Sequence, residues 1–151
     1  MHIVVPVPPA RRYSDLRVWK LADELRRKIF VLTNRPRFAR DLKAQGQLDD
    51  AINSVCRNIA EGFPCGHVEF ARFLEISRRS LNEVRDALHG ASLKGYVDDE
   101  ELPALLRLAD RLAPALARFV TYLRRTPDPR HRPYPDRRPR TARRRRRADE
   151  R

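Results

Sequence analysis

Residues 48–88, LDDAINSVCRNIAEGFPCGHVEFARFLEISRRSLNEVRDAL, contain two helical patterns separated by one short break. Before the break, apolar residues recur at the spacing of one face of a helix, and the same spacing resumes after it. The break itself, GFPCG at residues 62–66, contains the glycine and proline residues that commonly end helices. This stretch therefore predicts a helical hairpin. The predicted stripes are Leu48, Ile52, Val55 and Ile59 before the break, and Phe70, Phe73, Leu74, Ser77, Leu81, Val84, Leu88 and Ala91 after it.

Two further helices flank this hairpin. The segment YSDLRVWKLADELRRKIFVLTN, residues 13–34, is amphipathic and begins with Ser14, a suitable N-cap residue. The last helix is expected to reach about Arg125 and to kink at Pro114. The two middle helices are expected at about residues 37–61 and 67–93, the latter followed by Gly95 as its C-terminal glycine. The outer stripes are Val18, Ala22, Leu25, Ile29 and Leu32, and Leu105, Ala109, Leu112, Leu116, Phe119 and Leu123.

No segment alternates with a period of two, so no strand is predicted. Four helices with short connections predict an all-α fold, an antiparallel up-down-up-down four-helix bundle. We expect a flexible Pro-rich leader at residues 1–12, the bundle at 13–125 and a disordered basic tail at 126–151. The tail contains 11 arginines, 4 acidic residues and almost no apolar residues, a composition that cannot offset the entropy of ordering.

The formal net charge of the 151-residue chain is +13, which predicts attraction to a polyanion such as nucleic acid or an anionic membrane surface. The tail contributes more than half of this excess. Its run of five arginines could bind RNA, DNA or anionic lipid, or only keep the chain soluble. That run is Arg143, Arg144, Arg145, Arg146 and Arg147.

The sequence offers little support for an enzyme, a metal site or a cofactor. Cys56, Cys65, His67 and His89 do not match a recurrent metal-ligand spacing, and no Gly-rich phosphate loop occurs. No nucleophile lies in a strand-to-helix elbow. No signal peptide and no apolar stretch of membrane-spanning length is visible, so we expect a cytoplasmic protein with reduced thiols and no membrane partner.

The segment NIAEGF, residues 58–63, places an amide and a carboxylate in an otherwise apolar pattern. Gly62 is expected to end the helix as a positive-φ cap, with Phe63 folding back over the last turn. Glu61 faces the negative end of the helix dipole and needs a compensating partner, for which Arg57 is one candidate. Asn58 and Glu61 could order the connection between the two helices, meet a neighbouring chain, or serve a chemical role.

Basic and aromatic residues of the bundle are candidates for nucleic-acid contact. Four arginines of the third helix could form a basic strip, or only a solvated face. Trp19 and Tyr13 could stack on a base, although packing within the protein is the more common use of such rings. The four arginines are Arg72, Arg78, Arg79 and Arg85.

Four ordered blocks resemble the bacterial four-helix-bundle proteins of the 23S ribosomal RNA intervening-sequence family. They are YSDLRVWKLADEL, QLDDAINSVCRNIAEGF, EFARFLEISRRSLNEVRDAL and KGY, and the resemblance covers about residues 12–125. The signature positions are Asp15, Leu16, Val18, Trp19, Asn58, Ile59, Ala60, Glu61, Gly62, Phe63, Glu69, Phe70, Phe73, Leu74, Ser80, Leu81 and Glu83. The chain departs from many relatives in having Asp49 and Asp50 where they have basic residues.

The resemblance implies an antiparallel four-helix bundle without catalytic activity. The chain is also similar to accessory proteins of diversity-generating retroelements, which share the fold, assemble as pentamers, and associate with nucleic acid and a reverse transcriptase. We therefore expect a non-enzymatic homo-oligomer, a pentamer by resemblance, that associates with RNA. Leftover apolar surface at Trp19, Phe30 or Phe63 would serve oligomerisation. The alternative is a scaffold that binds another protein, with no direct nucleic-acid role.

Overall fold

A computed structural model describes residues 9–129, and within these residues the protein contains helices and no strand. A 3₁₀ turn at Tyr13–Asp15 precedes the first helix. The helices are α1 (Arg17–Thr33), α2 (Pro36–Ala39), α3 (Leu42–Gly62), α4 (His67–Leu93) and α5 (Glu101–Arg125). The prediction of an all-α protein is confirmed.

The four long helices form a ring in which each packs against two others. The pairs in contact are α1 with α3, α3 with α4, α4 with α5, and α5 with α1. Contacts between early residues of one helix and late residues of the next show that neighbours are antiparallel. Gly62 at the end of α3 meets Phe70 near the start of α4, and His67 at the start of α4 bonds to Thr126 just after α5. The chain is therefore an up-down-up-down bundle, as predicted.

The core consists of the apolar stripes that the sequence predicts. Every predicted stripe residue is buried except Phe73 and Phe119, which are half-buried. The centre of the core includes one fully buried residue from each long helix, Leu25, Ile52, Leu81 and Leu112. Burial of a side chain of this size stabilises the fold by roughly 1.5–3 kcal/mol, so these stripes are the main source of stability.

The predicted second helix is two helices, which corrects the expectation of one helix over residues 37–61. The chain leaves α2 at Arg40, and Asp41 then acts as the N-cap of α3. The Asp41 carboxylate accepts a hydrogen bond from Ala44 N at 3.1 Å. The break turns α2 so that Phe38 is 1% exposed, and this buried ring explains why one straight helix is not formed.

The segment from α2 to Asp41 closes one end of the bundle by binding the α4–α5 connection. Phe38 stacks on Tyr96 with ring centroids 4.7 Å apart, and Arg37 donates to the carbonyls of Lys94 and Gly95. Gly95 has φ of +70°, and the hydrogen bonds from Gly95 N to Ser92 O and from Tyr96 N to Ala91 O form a Schellman motif. The prediction of Gly95 as the C-terminal glycine of this helix is confirmed.

Gly62 corrects a second expectation, because it is the last residue of α3 and not a positive-φ cap. Among the described residues only Gly95 has a positive φ. A methyl group on Gly62 would lie 2.5 Å from Phe70 Cδ2 and 2.8 Å from Phe73 Cβ. Gly62 is therefore required because α3 and α4 approach each other closely there.

The segment before α1 differs from the sequence prediction, and the segment after α5 makes contacts with α4. Ser14 lies inside the 3₁₀ turn and does not cap α1, whose N-cap is Leu16. The Asp15 carboxylate accepts from the backbone N–H groups of Arg11 and Arg12, which tightens this turn. At the other end, Thr126 O and the Asp128 carboxylate bond to His67 at the start of α4. Most of the predicted tail, and residues 1–8 of the leader, lie outside the described residues.

Replacing Gly62 with Ala should destabilise the protein. The added methyl overlaps Phe73 Cβ, and such overpacking costs about 1–3 kcal/mol, which exceeds the helix propensity that Ala gains. Gly90→Ala is the matched control, because a methyl group there meets nothing within 4 Å. This substitution should raise the free energy of unfolding by about 1 kcal/mol at most. Urea unfolding would measure the free energy of unfolding of both variants. Equal stabilisation by the two substitutions would contradict the close approach at Gly62.

Asp41 should contribute stability that depends on pH. A hydrogen bond from Lys94, together with bonds from Ala44 N and the Tyr96 hydroxyl, lowers the pKa of Asp41 from 3.8 to about 2. A lowered pKa stabilises the fold above the ordinary value, and this contribution is lost as pH falls through the lower one. Asp41→Asn should therefore melt below the wild type at pH 7, and the difference should shrink as pH falls from about 4 to 2.

Asp50→Asn is the control for the loss of one carboxylate from exposed α3 surface. Thermal melts followed by circular dichroism across this pH range would test the expectation. A difference between Asp41→Asn and the wild type that stays constant down to pH 2 would show that cap geometry, and not the Asp41 charge, carries the effect.

Candidate nucleic-acid interface

A concave surface with a volume of about 680 Å³ lies on the outer side of α3, between α1 and α4. It is an open groove with polar walls and two aromatic rings at one end. Its lining residues are Tyr13, Trp19, Arg26, Gln47, Asp50, Ala51, Asn53, Ser54, Cys56, Arg57, Ala60 and Glu83.

The aromatic end of this groove is packed within the protein. Tyr13 meets Trp19 edge-on, with ring centroids 5.4 Å apart, and the Arg26 guanidinium lies 5.8 Å from the Trp19 ring centre. Trp19 is half-buried and Tyr13 is exposed. Trp19 thus follows the packing interpretation of the sequence, while the Tyr13 ring retains a free surface.

A buried carboxylate holds the arginine in this cluster. Asp23 is 7% exposed and accepts hydrogen bonds from both Arg26 and Arg27. Burial by itself raises the pKa of Asp23, but the hydrogen bonds from Arg27 and Arg26 outweigh it and leave the pKa below its usual value. The Arg26 charge is therefore already compensated, and its guanidinium serves to position Trp19.

Asn58 and Glu61 do not act as a pair. Asn58 is buried and donates to Ser54 O at 2.8 Å and to Ser54 Oγ at 3.2 Å, both on its own helix. Ser54 Oγ in turn lies 2.8 Å from Ser80 Oγ on α4. Glu61 is exposed and lies 3.9 Å from Arg57, the partner that the sequence suggested. The amide therefore belongs to a polar seam between α3 and α4, defined by Ser54, Asn58 and Ser80, and the carboxylate belongs to the surface.

The two aspartates that depart from the family pattern occupy different environments. Asp49 accepts a hydrogen bond from Thr33 Oγ1 at 2.8 Å, which ties α3 to the end of α1. Its partial burial raises its pKa above the usual value. Asp50 is exposed and lines the groove. The groove therefore carries a negative charge at Asp50, which disfavours a phosphate there.

The cysteines and histidines do not converge on a site. Cys56 is buried, and this burial raises the pKa of its thiol to about 11, so it stays protonated and unreactive. His67 Nδ1 lies 2.9 Å from Thr126 O. Within residues 9–129, no cluster of three or more His, Cys, Asp or Glu residues could hold a metal ion.

The four α4 arginines predicted to form a strip lie on two sides of the helix. Arg85 faces α5 and bonds to Asp110 of that helix at 2.7 Å, while Arg78, on the same side of α4, bonds to Glu75 within α4. Arg72 and Arg79 lie seven residues apart on the outer side, where Arg72 is 3.5 Å from Glu69. Arg79 is exposed and takes part in no ion pair among residues 9–129. The predicted strip is thus split, and most of its charge is compensated locally.

A second set of arginines, which the sequence reading missed, lies on α5. Arg107, Arg111, Arg118 and Arg125 are all exposed, and none forms an ion pair within the described part of the chain. Their spacing of 4, 7 and 7 residues is the spacing of one helix face, so helical periodicity applied to charged residues would have found them. The five tail arginines, Arg143–Arg147, lie outside the described residues.

Comparison with protein families gives one decisive result. The sequence model of the family described as 23S rRNA-intervening sequence protein matches residues 14–118, from the 3₁₀ turn into the second half of α5. The chain belongs to this family. No curated protein matches the chain.

The positions by which the sequence resembles the 23S rRNA-intervening sequence protein family serve mainly to hold this bundle together. Phe70 is 4% exposed, and its ring meets those of Phe63 and Phe119 edge-on. Glu69 lies in the first turn of α4, where a carboxylate is favoured by the helix dipole. Gly62, Asn58 and Ser80 join α3 to α4. In this chain these positions therefore contribute more to the packing of the α3–α4 hairpin than to a binding surface.

Exposed apolar side chains of this family member differ from those expected for oligomerisation. Trp19, Phe30 and Phe63 are half-buried. Large apolar side chains with greater exposure include Leu42 at 76%, Val68 at 72% and Leu93 at 91%. None of the helices in residues 9–129 has the length and apolar composition to span a bilayer.

Substitution of Asn58 should reveal its structural role. Asn58→Ala removes two hydrogen bonds from the α3–α4 seam and should cost about 1 kcal/mol. Asn53→Ala, on the same helix but outside the seam, is the matched control. Glu61→Ala should change stability by no more than a few tenths of a kcal/mol, because its ion pair is exposed.

Urea unfolding and native mass spectrometry of these variants separate the two roles. Loss of stability in Asn58→Ala with an unchanged assembly mass is the expected result. A changed assembly mass in Glu61→Ala, with unchanged helicity, would instead assign Glu61 to an interface between subunits.

Proposed function

We propose that this protein is a non-enzymatic, homo-oligomeric helical-bundle protein that associates with RNA in the cytoplasm. The observation that carries the proposal is the excess of exposed, unpaired arginines on a bundle of the 23S rRNA-intervening sequence protein family. The family description refers to ribosomal RNA, and basic side chains on a folded surface supply the contacts that bind nucleic acid through its phosphates.

The tail adds to this proposal by its charge. It carries 11 of the 29 arginines of the chain, and this charge would strengthen binding without reading sequence. Oligomerisation would repeat the basic surface of the bundle in each subunit, so that several surfaces could engage one RNA. The pentamer expected from the family resemblance is the assembly that we propose.

The protein-scaffold alternative has one observation in its favour. The α3 groove combines the exposed Tyr13 ring with amide and carboxylate groups, a mixture that suits a polypeptide better than a phosphate backbone. On this alternative the partner would bind along α3, and the arginines would serve only solubility.

RNA affinity measured as a function of salt tests the proposal. The full chain and a chain ending after residue 129, which keeps the segment packed on α4, should both bind RNA. The logarithm of the binding constant should fall linearly with the logarithm of salt concentration, and more steeply for the full chain. If the chain that ends after residue 129 does not bind RNA at all, the scaffold alternative is favoured. Native mass spectrometry of the same samples should give five subunits.

A further inference from the structure

Four of the five arginines of α5 form a straight column along the outer face of the helix. At 100° per residue, Arg107, Arg111, Arg118 and Arg125 fall within roughly 40° of arc, and they span about 27 Å along the axis. The residues between them on this face are Pro114 and Thr121, both exposed and uncharged. The column therefore contains no acidic side chain.

This column differs from several other arginines of the bundle. Arg35, Arg78 and Arg85 each form an ion pair with a carboxylate, at 2.7 to 3.1 Å. The column arginines have no such partner in residues 9–129, and like charges at positions i and i+4 destabilise a helix by a few tenths of a kcal/mol. Within the subunit, repulsion between the column arginines thus slightly lowers the stability of the helix. An external anion would offset this repulsion.

Helix α1 broadens the basic face on the side of α5. Arg17 lies beside Arg118 in a shallow depression between the two helices, and Lys28 lies beside Ala104 in another. Both α1 side chains are exposed. Glu24, on the same side of α1, is an exposed acidic residue. Glu101 accepts two hydrogen bonds from Arg35, so its charge is already paired. The positive charges therefore outnumber the free carboxylates on this face.

We propose that this α1–α5 face, defined by Arg17, Lys28, Arg107, Arg111, Arg118 and Arg125, binds the phosphate backbone of double-helical RNA. The inference rests on the proposed function and specifies its surface and its class of RNA. A convex helix with a stiff row of charges suits the backbone of a duplex, which proteins recognise by shape and phosphate contacts. Single strands are instead bound in grooves with a series of stacking rings.

The aromatic content of the face supports this choice. Tyr122 is the exposed ring next to the column, and its ring lies 6.3 Å from those of both His67 and Phe119. One ring at the edge cannot hold successive bases. Direct readout of sequence also requires side chains that reach base edges, and the deep, narrow major groove of duplex RNA does not admit them. Binding should therefore depend on RNA form and not on its sequence.

The test uses the full-length chain with three column arginines changed together, Arg107→Gln, Arg111→Gln and Arg118→Gln. Gln has a helix propensity close to that of Arg, so the fold is retained. The matched control is Arg57→Gln, Arg72→Gln and Arg79→Gln, which removes the same charge from α3 and α4. A third variant replaces the column arginines with Lys and keeps the charge. Circular dichroism melts verify that each variant is folded.

Binding to a 20-base-pair RNA duplex and to a 20-nucleotide uridine strand is measured between 50 and 200 mM salt. The column variant should lose about 2 to 3 units of the log–log slope on the duplex, close to one unit for each phosphate contact removed. Its affinity at 100 mM salt should fall about tenfold or more. The control variant and the Lys variant should keep the wild-type slope.

Each alternative result has a distinct meaning. If the wild-type chain binds neither RNA, the proposed function fails and the inference fails with it. If the wild-type chain binds the duplex and the column variant keeps the wild-type salt dependence, the assignment of binding to the α1–α5 face is wrong. The proposed function still stands in that case. Loss of slope in the control variant would place the surface on α3 and α4. Tighter binding of the uridine strand would overturn the assignment of duplex RNA.

Discussion

The packing of the bundle depends on the absence of a side chain at Gly62. A methyl group at this position would lie within 3 Å of both Phe70 and Phe73, so the two helices can approach here only with glycine. That approach brings Phe70 against Phe63 and Phe119, and thereby connects the α3–α4 turn to α5. Farther along the same pair of helices, the Ser54–Ser80 hydrogen bond and the bond from Ser77 Oγ to Val55 O fix their register.

The opposite end of the bundle is fixed by polar contacts instead of a close approach. Asp41 caps α3 and binds Lys94 and Tyr96, while Arg37 binds the carbonyl groups that follow α4. Arg35 then joins the α1–α2 connection to Glu101 in the first turn of α5. These contacts join segments that are more than 50 residues apart in the sequence, so they hold together connections that the helices themselves do not link.

Helical periodicity predicted the four long helices and their core stripes, because burial of one face imposes that pattern directly. It could not separate the two reasons for a glycine before Phe63 and Pro64, since a positive-φ cap and a close helix contact leave the same local signature. The division between α2 and α3 was also missed, because Phe38 is buried by Tyr96 from a distant segment. The α5 arginines do recur at helical spacing. Because the chain is rich in arginine, however, the sequence alone did not distinguish them from the α4 arginines or the tail as a basic surface.

The position of the chain end relates the two basic parts of the molecule. After Arg125 the chain turns onto the start of α4, where the Asp128 carboxylate accepts from His67 N at 3.0 Å and thereby caps that helix. The segment that follows Arg125 is therefore held against the start of α4, next to the last arginine of the column. On the proposed function, tail arginines bound to RNA would raise the effective concentration of the same RNA at the folded face. The tail would then supply affinity, while the column on α5 would determine how the RNA is oriented on the bundle.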